Sequence, residues 1–212
     1  MLFSKLYQAL RPQINGNAAR LKCLCFIVHA IIRCRSTNLV TLATVADGKG
    51  CSNESRYRRF QDFFLKFHLC QDAISRVILS RLPRPKKGYV LAMDRTNWQF
   101  GRHHINFLVI AIVSEKVSIP IVWTILPQTT KSGNSKASHR ISLLKKLLEL
   151  LPSTEIKVLT MDREFIGKKW LQWLDDQGIG YIVRIKKNVW ASKRQAGDRA
   201  SRPGRELLHP NH

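Results

Sequence analysis

The spacing of apolar residues changes character once along the chain. Up to about residue 80 they recur at helical intervals, and from Tyr89 strand-like runs enter, interleaved later with helices. Ala18–Arg35 reads as a core helix, and Asn38–Ala46 as a shorter one closed by the turn Asp47-Gly48-Lys49-Gly50. Ser52 is placed to cap a third helix, in which Phe60, Phe63, Phe64 and Phe67 follow the i, i+3, i+4, i+7 spacing of a buried stripe. Ala73–Arg81 adds a fourth. Leu82-Pro83-Arg84-Pro85-Lys86-Lys87-Gly88 then stops helix formation. Strands are expected at Tyr89–Met93 with an extension toward Trp98, at Ile105–Ser114 and at Val117–Leu126, the last on a sheet edge because of Pro120. Their connections are short, so the three should be antiparallel. Helix His139–Leu151, strand Ile156–Met161, helix Glu164–Gln177 and strand Tyr181–Ile185 follow, with parallel pairing across the helical crossovers. Ala191–His212 has almost no periodicity and reads as a disordered basic tail.

Within this pattern one hexapeptide occurs nearly twice, as Val90-Leu91-Ala92-Met93-Asp94-Arg95 and Val158-Leu159-Thr160-Met161-Asp162-Arg163. If both are strands, Val90, Ala92 and Asp94 share one face, and so do Ile156, Val158, Thr160 and Asp162. Two adjacent strands of this kind hold two carboxylates side by side, an arrangement suited to a divalent metal.

Composition adds the polarity of the partner. Thirty-six Lys and Arg against fourteen Asp and Glu give a formal charge of +22 over 212 residues. An excess of this size points to a polyanion, foremost nucleic acid. Arg56, Arg58 and Arg59 head the third helix, so the N-terminal segment reads equally as a DNA-binding helical module and as a bundle with a solvated basic face. No run approaches the roughly 18 apolar residues of a membrane span. The N-terminus lacks a signal-peptide layout, and the five cysteines have no Cys-x-x-Cys spacing, which together suggest a reducing cytoplasmic setting. Cys23, Cys25, His29 and Cys34 lie on a helix and read as buried residues in preference to zinc ligands.

Three antiparallel strands, then helix, strand, helix and strand, with aspartates on the first and fourth strands, is a ribonuclease H-like order. With Leu91-Ala92-Met93-Asp94-Arg95-Thr96-Asn97-Trp98 and Leu159-Thr160-Met161-Asp162-Arg163-Glu164-Phe165, the chain resembles the DDE transposases of bacterial insertion sequences, most nearly the insertion sequence four (IS four) group. The resemblance implies an α/β (α+β) fold, with a ribonuclease H-like mixed sheet behind a small helical N-terminal domain. The expected divisions are a DNA-binding domain at 1–82, a linker at 83–88, a partial catalytic domain at 89–188 and a tail at 189–212. It also implies that Asp94 and Asp162 are catalytic metal ligands for Mg²⁺ or Mn²⁺, two ions in the intact family site, about 3.5–4 Å apart. DNA contacts are expected from Arg56, Arg58, Arg59, Arg95, Arg163, Lys186 and Lys187. The partner is double-stranded DNA at transposon ends, with a homodimer or pairing with full-length transposase, no membrane, and action at the nucleoid.

One part of the family pattern is missing. Its third acid lies in a Tyr-x-x-Arg-x-x-x-Glu-x-x-x-x-x-x-Lys signature after a β-rich insertion. Here Arg202 and Glu206 keep the Arg-to-Glu spacing, but Arg199 stands where the tyrosine belongs. Glu164 reads as a first-turn helix glutamate. The expectation is therefore a C-terminally truncated copy, its family pattern lost near Asn188 and its tail either natural or a frameshift product, impaired in cleavage.

Overall fold

The alternating part of the chain forms one five-stranded sheet: β1 (Tyr89–Phe100), β2 (His103–Val113), β3 (Ser118–Leu126), β4 (Ile156–Met161) and β5 (Tyr181–Val183). The structure is a computed structural model and describes residues 2–45, 50–101, 103–115, 117–127 and 135–184. The tail from Ala191 therefore lies outside the described residues. The strand order is β3-β2-β1-β4-β5. β1, β2 and β3 pair antiparallel through short connections, whereas β4 joins β1, and β5 joins β4, in parallel. Helices α6 (Ala137–Leu148) and α7 (Lys168–Asp176) supply the crossovers that parallel pairing needs. This is the ribonuclease H-like mixed sheet expected from the sequence.

The main core lies on the helix-covered face. Leu91 and Met93 of β1, Leu108 and Ile110 of β2, and Leu159 and Met161 of β4 pack with Leu143, Leu144 and Leu147 of α6 and with Trp170 and Leu174 of α7. Strand β4 shows one departure from simple alternation. Ile156, expected beside Val158 and Thr160, lies in this core, because the β1/β4 register shifts between Tyr89 and Val90. At that same end the linker is pinned by Gly88. Its φ is +79°, and a Cβ there would meet the Glu155 carbonyl oxygen at 2.8 Å, so only glycine fits without a shift.

Two boundaries differ from the sequence reading. β1 continues to Phe100 and β2 begins at His103, so the expected turn is shorter and His103 and His104 belong to a strand. The helix expected from Glu164 is interrupted: Arg163–Phe165 form a 3-10 turn, Ile166 is extended, and α7 starts only at Lys168. Gly167 propagates a helix poorly, and Glu164 is drawn away by a tertiary partner described below.

The N-terminal part contains α1 (Leu2–Leu10), α2 (Ala18–Cys34), α3 (Leu39–Val45), α4 (Asn53–Lys66) and α5 (Gln71–Leu79). Asn17 caps α2 by accepting from the Arg20 N–H at 2.8 Å, and Ser52 caps α4 by accepting from the Ser55 N–H at 3.2 Å. Phe60 and Phe63 are buried with Cys23, Ile27 and Leu42, and Phe67 packs against them. Phe64 is the exception at 56% exposed. The helices α2 and α3 cover a stripe only as wide as the i, i+3, i+7 series. Burial raises the Cys23 and Cys25 thiols above their ordinary range, as befits packed side chains. Helix α5 closes the sheet edge: the Ser75 hydroxyl donates to the Ile121 carbonyl at 2.6 Å, and the Gln71 amide donates to that of Trp123 at 2.8 Å. Both carbonyls belong to edge strand β3, which would otherwise offer them to another chain. Among the described residues, no single helix is long and apolar enough to cross a membrane.

Candidate active site

The twin hexapeptides become neighbouring strands in matched register. Val90 pairs with Val158, Leu91 with Leu159, Ala92 with Thr160 and Met93 with Met161. The matched pairs end there, on strands of the kind that lie about 4.8 Å apart, and Asp94 and Asp162 follow next, Asp94 still on β1 and Asp162 leading into the turn after β4. Leu91 and Met93 point into the core and are buried, whereas Asp94 is exposed on the other face. Asp162 is likewise exposed, immediately after the last β4 residue. The Asp94 Oδ1 accepts from the Arg95 backbone N–H at 2.7 Å. The Asp162 Oδ1 lies 3.9 Å from Arg184 Nη1, both side chains being largely open to solvent. Two hard carboxylate donors side by side fit Mg²⁺ or Mn²⁺, which take one or two protein carboxylates and complete their shell with water and substrate oxygens. Among the described residues, no group of three or more His, Cys, Asp or Glu side chains is placed to hold a metal.

Behind the two aspartates lies a polar cluster that the sequence reading assigned differently. Arg95 does not face outward. Its Nε lies 3.2 Å from both Glu164 carboxylate oxygens, its Nη2 donates to Oε2 at 3.1 Å, and its Nη1 donates to Asn106 Oδ1 at 3.0 Å. The Arg95 and Glu164 side chains are only 16% and 22% exposed. Glu164 is thus the anionic partner of Arg95, and the turn it lies in is the 3-10 turn ahead of α7. Its backbone carbonyl accepts from Arg140 Nη2 at 3.0 Å, and Arg140 also bonds Ser135 and lies over the Phe165 ring at 5.1 Å. Burial pulls the Arg140 guanidinium below its ordinary value, and the nearby Glu164 carboxylate offsets part of that shift. Sequence patterns held a sign of this cluster. Arg140 precedes Leu143, Leu144 and Leu147 on the buried stripe of α6, and Asn106 shares parity with Leu108 and Ile110. Polar side chains in core-facing positions need partners.

The remaining basic candidates separate by environment. Arg163 is exposed in the 3-10 turn. Arg56 Nη2 donates to the Cys51 carbonyl at 2.6 Å, and Arg58 pairs with Glu54 at 2.7 Å, so both are engaged close to the start of α4. Arg59 instead lines a cavity of about 190 Å³ between α2 and α4, together with Arg20, Lys66 and Asp62. Lys186, Lys187 and Glu206 lie outside the described residues.

Several known proteins resemble the chain. The solved structures that resemble it include the HTLV-2 integrase catalytic core domain in complex with magnesium in its dimeric form. That chain is 11% identical over 49% of this chain and 62% of its own length, with a TM-score of 0.34. Another is a cryoEM structure of the simian T-cell lymphotropic virus intasome in complex with PP2A regulatory subunit B56 gamma. It is 9% identical over 65% of this chain and 45% of its own length, with a TM-score of 0.37. This chain therefore spans less than two thirds of either. No curated protein matches it. Residues 85–210 match the family model described as the transposase DDE domain, a span that includes both hexapeptides and continues past Asn188 through Glu206. With more than half of its length inside that match, the chain belongs to the transposase DDE domain family.

Proposed function

We propose that this chain is an insertion-sequence transposase of the IS four type, acting on double-stranded transposon ends in the cytoplasm at the nucleoid. The observation that carries the reading is the β1/β4 pairing, which matches the twin hexapeptides in register up to Met93 and Met161, the residues just before Asp94 and Asp162. In this reading both carboxylates hold divalent cation, Mg²⁺ or Mn²⁺. When bound, such ions supply Lewis acidity at the attacking and leaving oxygens of phosphodiester cleavage and strand transfer. Residues 1–82 serve as the DNA-binding domain, with Arg59 and its neighbours along α2 and α4 as phosphate contacts. Residues 89–188 carry the partial catalytic domain, with Arg163, Lys186 and Lys187 beside the DNA and a second protomer as partner.

The finer proposal is that this copy binds DNA and metal but cleaves poorly. Glu164, the acid nearest to Asp162 in sequence, is committed to Arg95 and not free to act as a third ligand. A chain of that kind occupies transposon ends or pairs with full-length transposase and inhibits it. The test combines three measurements on the purified chain: DNA binding against salt, Mn²⁺ binding, and Mg²⁺-dependent nicking of DNA carrying candidate ends. The expected result is binding that falls steeply with salt, Mn²⁺ binding lost in Asp94→Asn and Asp162→Asn, and no robust nicking. Robust nicking abolished by Asp94→Ala would overturn the impaired reading and leave a working transposase. Loss of that nicking in Glu206→Gln would identify its third acid. Salt-insensitive DNA binding would remove the basic surface from the argument.

A further inference from the structure

The backbone ladder that aligns the two aspartates ends before it reaches them. The last β1/β4 pair is Met93 with Met161. From there β1 continues beside β2, while β4 leaves the sheet into the 3-10 turn at Arg163–Phe165. Something other than strand pairing has to keep Asp162 beside Asp94. Two side chains bridge β1 and the turn beyond that point, Arg95, one residue after the first aspartate, and Glu164, two residues after the second.

We propose that the Arg95–Glu164 pair, braced by Arg140, is a positioning unit that sets the spacing of the Asp94 and Asp162 carboxylates. Arg95 follows Asp94 on the strand, so the two side chains leave opposite faces, and anchoring Arg95 on the core side fixes the direction of Asp94. The anchor has four contacts, three across both oxygens of the Glu164 carboxylate and one on Asn106 of β2. A guanidinium fork held in this way resists rotation, unlike a single-point contact. On the other side, Arg140 holds the Glu164 backbone carbonyl at 3.0 Å, and its guanidinium rests on Phe165. The turn carrying Asp162 is thereby tied both to β1 and to α6. Arg95 and Arg140 also place two cations on the sheet face opposite the aspartates, with one carboxylate between them. That arrangement lowers the repulsion between two neighbouring acids before any cation binds. The proposal rests on the reading of Asp94 and Asp162 as a metal pair, but its geometric content does not require metal.

The test reads spacing directly. With the exposed Cys51 and Cys70 replaced by serine, the double variant Asp94→Cys/Asp162→Cys puts thiols one residue past the last paired positions of β1 and β4, so that a disulfide forms only where the two Cα atoms come within about 4.4–6.8 Å. Mild oxidation followed by peptide mass mapping measures the rate of 94–162 cross-linking. Adding Glu164→Gln or Arg95→Lys should slow that cross-link severalfold while circular dichroism shows a folded chain. Arg163→Gln should leave it unchanged. Glu164→Asp, which keeps the charge but shortens the reach, covers the case in which Glu164→Gln does not fold. Unchanged cross-linking in folded Glu164→Gln and Glu164→Asp chains overturns the proposal. In the native-cysteine chain, Glu164→Gln should weaken Mn²⁺ binding, followed by electron paramagnetic resonance, about tenfold or more. If wild-type Mn²⁺ binding is indifferent to Asp94→Asn and Asp162→Asn, the metal reading falls, and the cross-link rate still decides whether Arg95 and Glu164 set the spacing.

Discussion

The two hexapeptides differ at one position, yet their surroundings give the final residues different work. In each copy the leucine and methionine are buried and the aspartate is exposed. After the aspartates the copies diverge. Arg95 stays on a strand and turns inward to Glu164 and Asn106, whereas Arg163 opens a 3-10 turn and remains exposed. The one sequence difference also has a place in this divergence: the Thr160 hydroxyl donates to the Leu91 carbonyl at 2.9 Å, a cross-strand bond that alanine at position 92 cannot return. Met161 has a second contact, the Trp170 indole N–H 3.3 Å from its sulfur. Alternation of apolar and polar residues thus fixes the strand and its faces. What the terminal arginine does depends on which element lies beyond it.

The strongest way to break the comparison is at the shared leucine. Leu91 and Leu159 are both fully buried in the same core. Leu91→Ala and Leu159→Ala should each destabilise the fold by about 2–5 kcal/mol, the usual range for a cavity left by a buried leucine. Urea denaturation of the two variants should give similar losses, since in this respect the copies are equivalent. The arginines should behave oppositely. Arg95→Ala leaves the Glu164 carboxylate and Asn106 without a mostly buried partner, a loss of about 2–3 kcal/mol after allowance for residual solvent exposure. Arg163→Ala should stay within about 0.5 kcal/mol of wild type. Equal losses for the two arginines would remove the distinction on which the positioning proposal depends.

The same contrast marks what the sequence could reveal. β4 is found at Ile156–Met161, where its apolar run and flanking breakers place it, and the Ser52 cap of α4 follows from local side-chain chemistry. The register that pairs the two hexapeptides up to Met93 and Met161 follows from repeated alternation on two strands joined by a helical crossover. Helix α7 was misplaced by several residues because Glu164 looks like a helix-starting acid. Its partner Arg95 lies 69 positions away in the chain, beyond the reach of any local pattern. Phe64 failed for a related reason: helical spacing gives the direction of a side chain but not the width of the surface that covers it. Arg95 carried charge that composition could count, but only tertiary structure shows its partner, whereas the Arg58–Glu54 pair is an exposed i,i+4 contact within one helix.

A smaller effect is expected at the position where the copies differ. Thr160→Ala makes the hexapeptides identical and removes the bond to the Leu91 carbonyl, costing about 1 kcal/mol. The denaturation midpoint should fall without a change in slope, as for a loss of native contacts with no change in unfolded-state compactness. An unchanged midpoint would mean that the Thr160 bond adds nothing beyond the backbone ladder.

The smallest effect should come from Arg184→Ala. Among the described residues, Arg184 is the cation paired with the Asp162 carboxylate, at 3.9 Å, but its side chain is 79% exposed and that of Asp162 is 51% exposed. An ion pair this open is screened by water and salt, and its loss should change stability by no more than about 0.5 kcal/mol. If Arg184 held Asp162 in place, its removal would slow the 94–162 cross-link as Glu164→Gln does. The expected result is an unchanged cross-link rate, together with Mn²⁺ binding equal to or slightly tighter than wild type, because a competing positive charge has been removed from one of the two carboxylates. A clear drop in cross-linking would shift the positioning role from the buried pair behind Asp162 to the exposed arginine beside it.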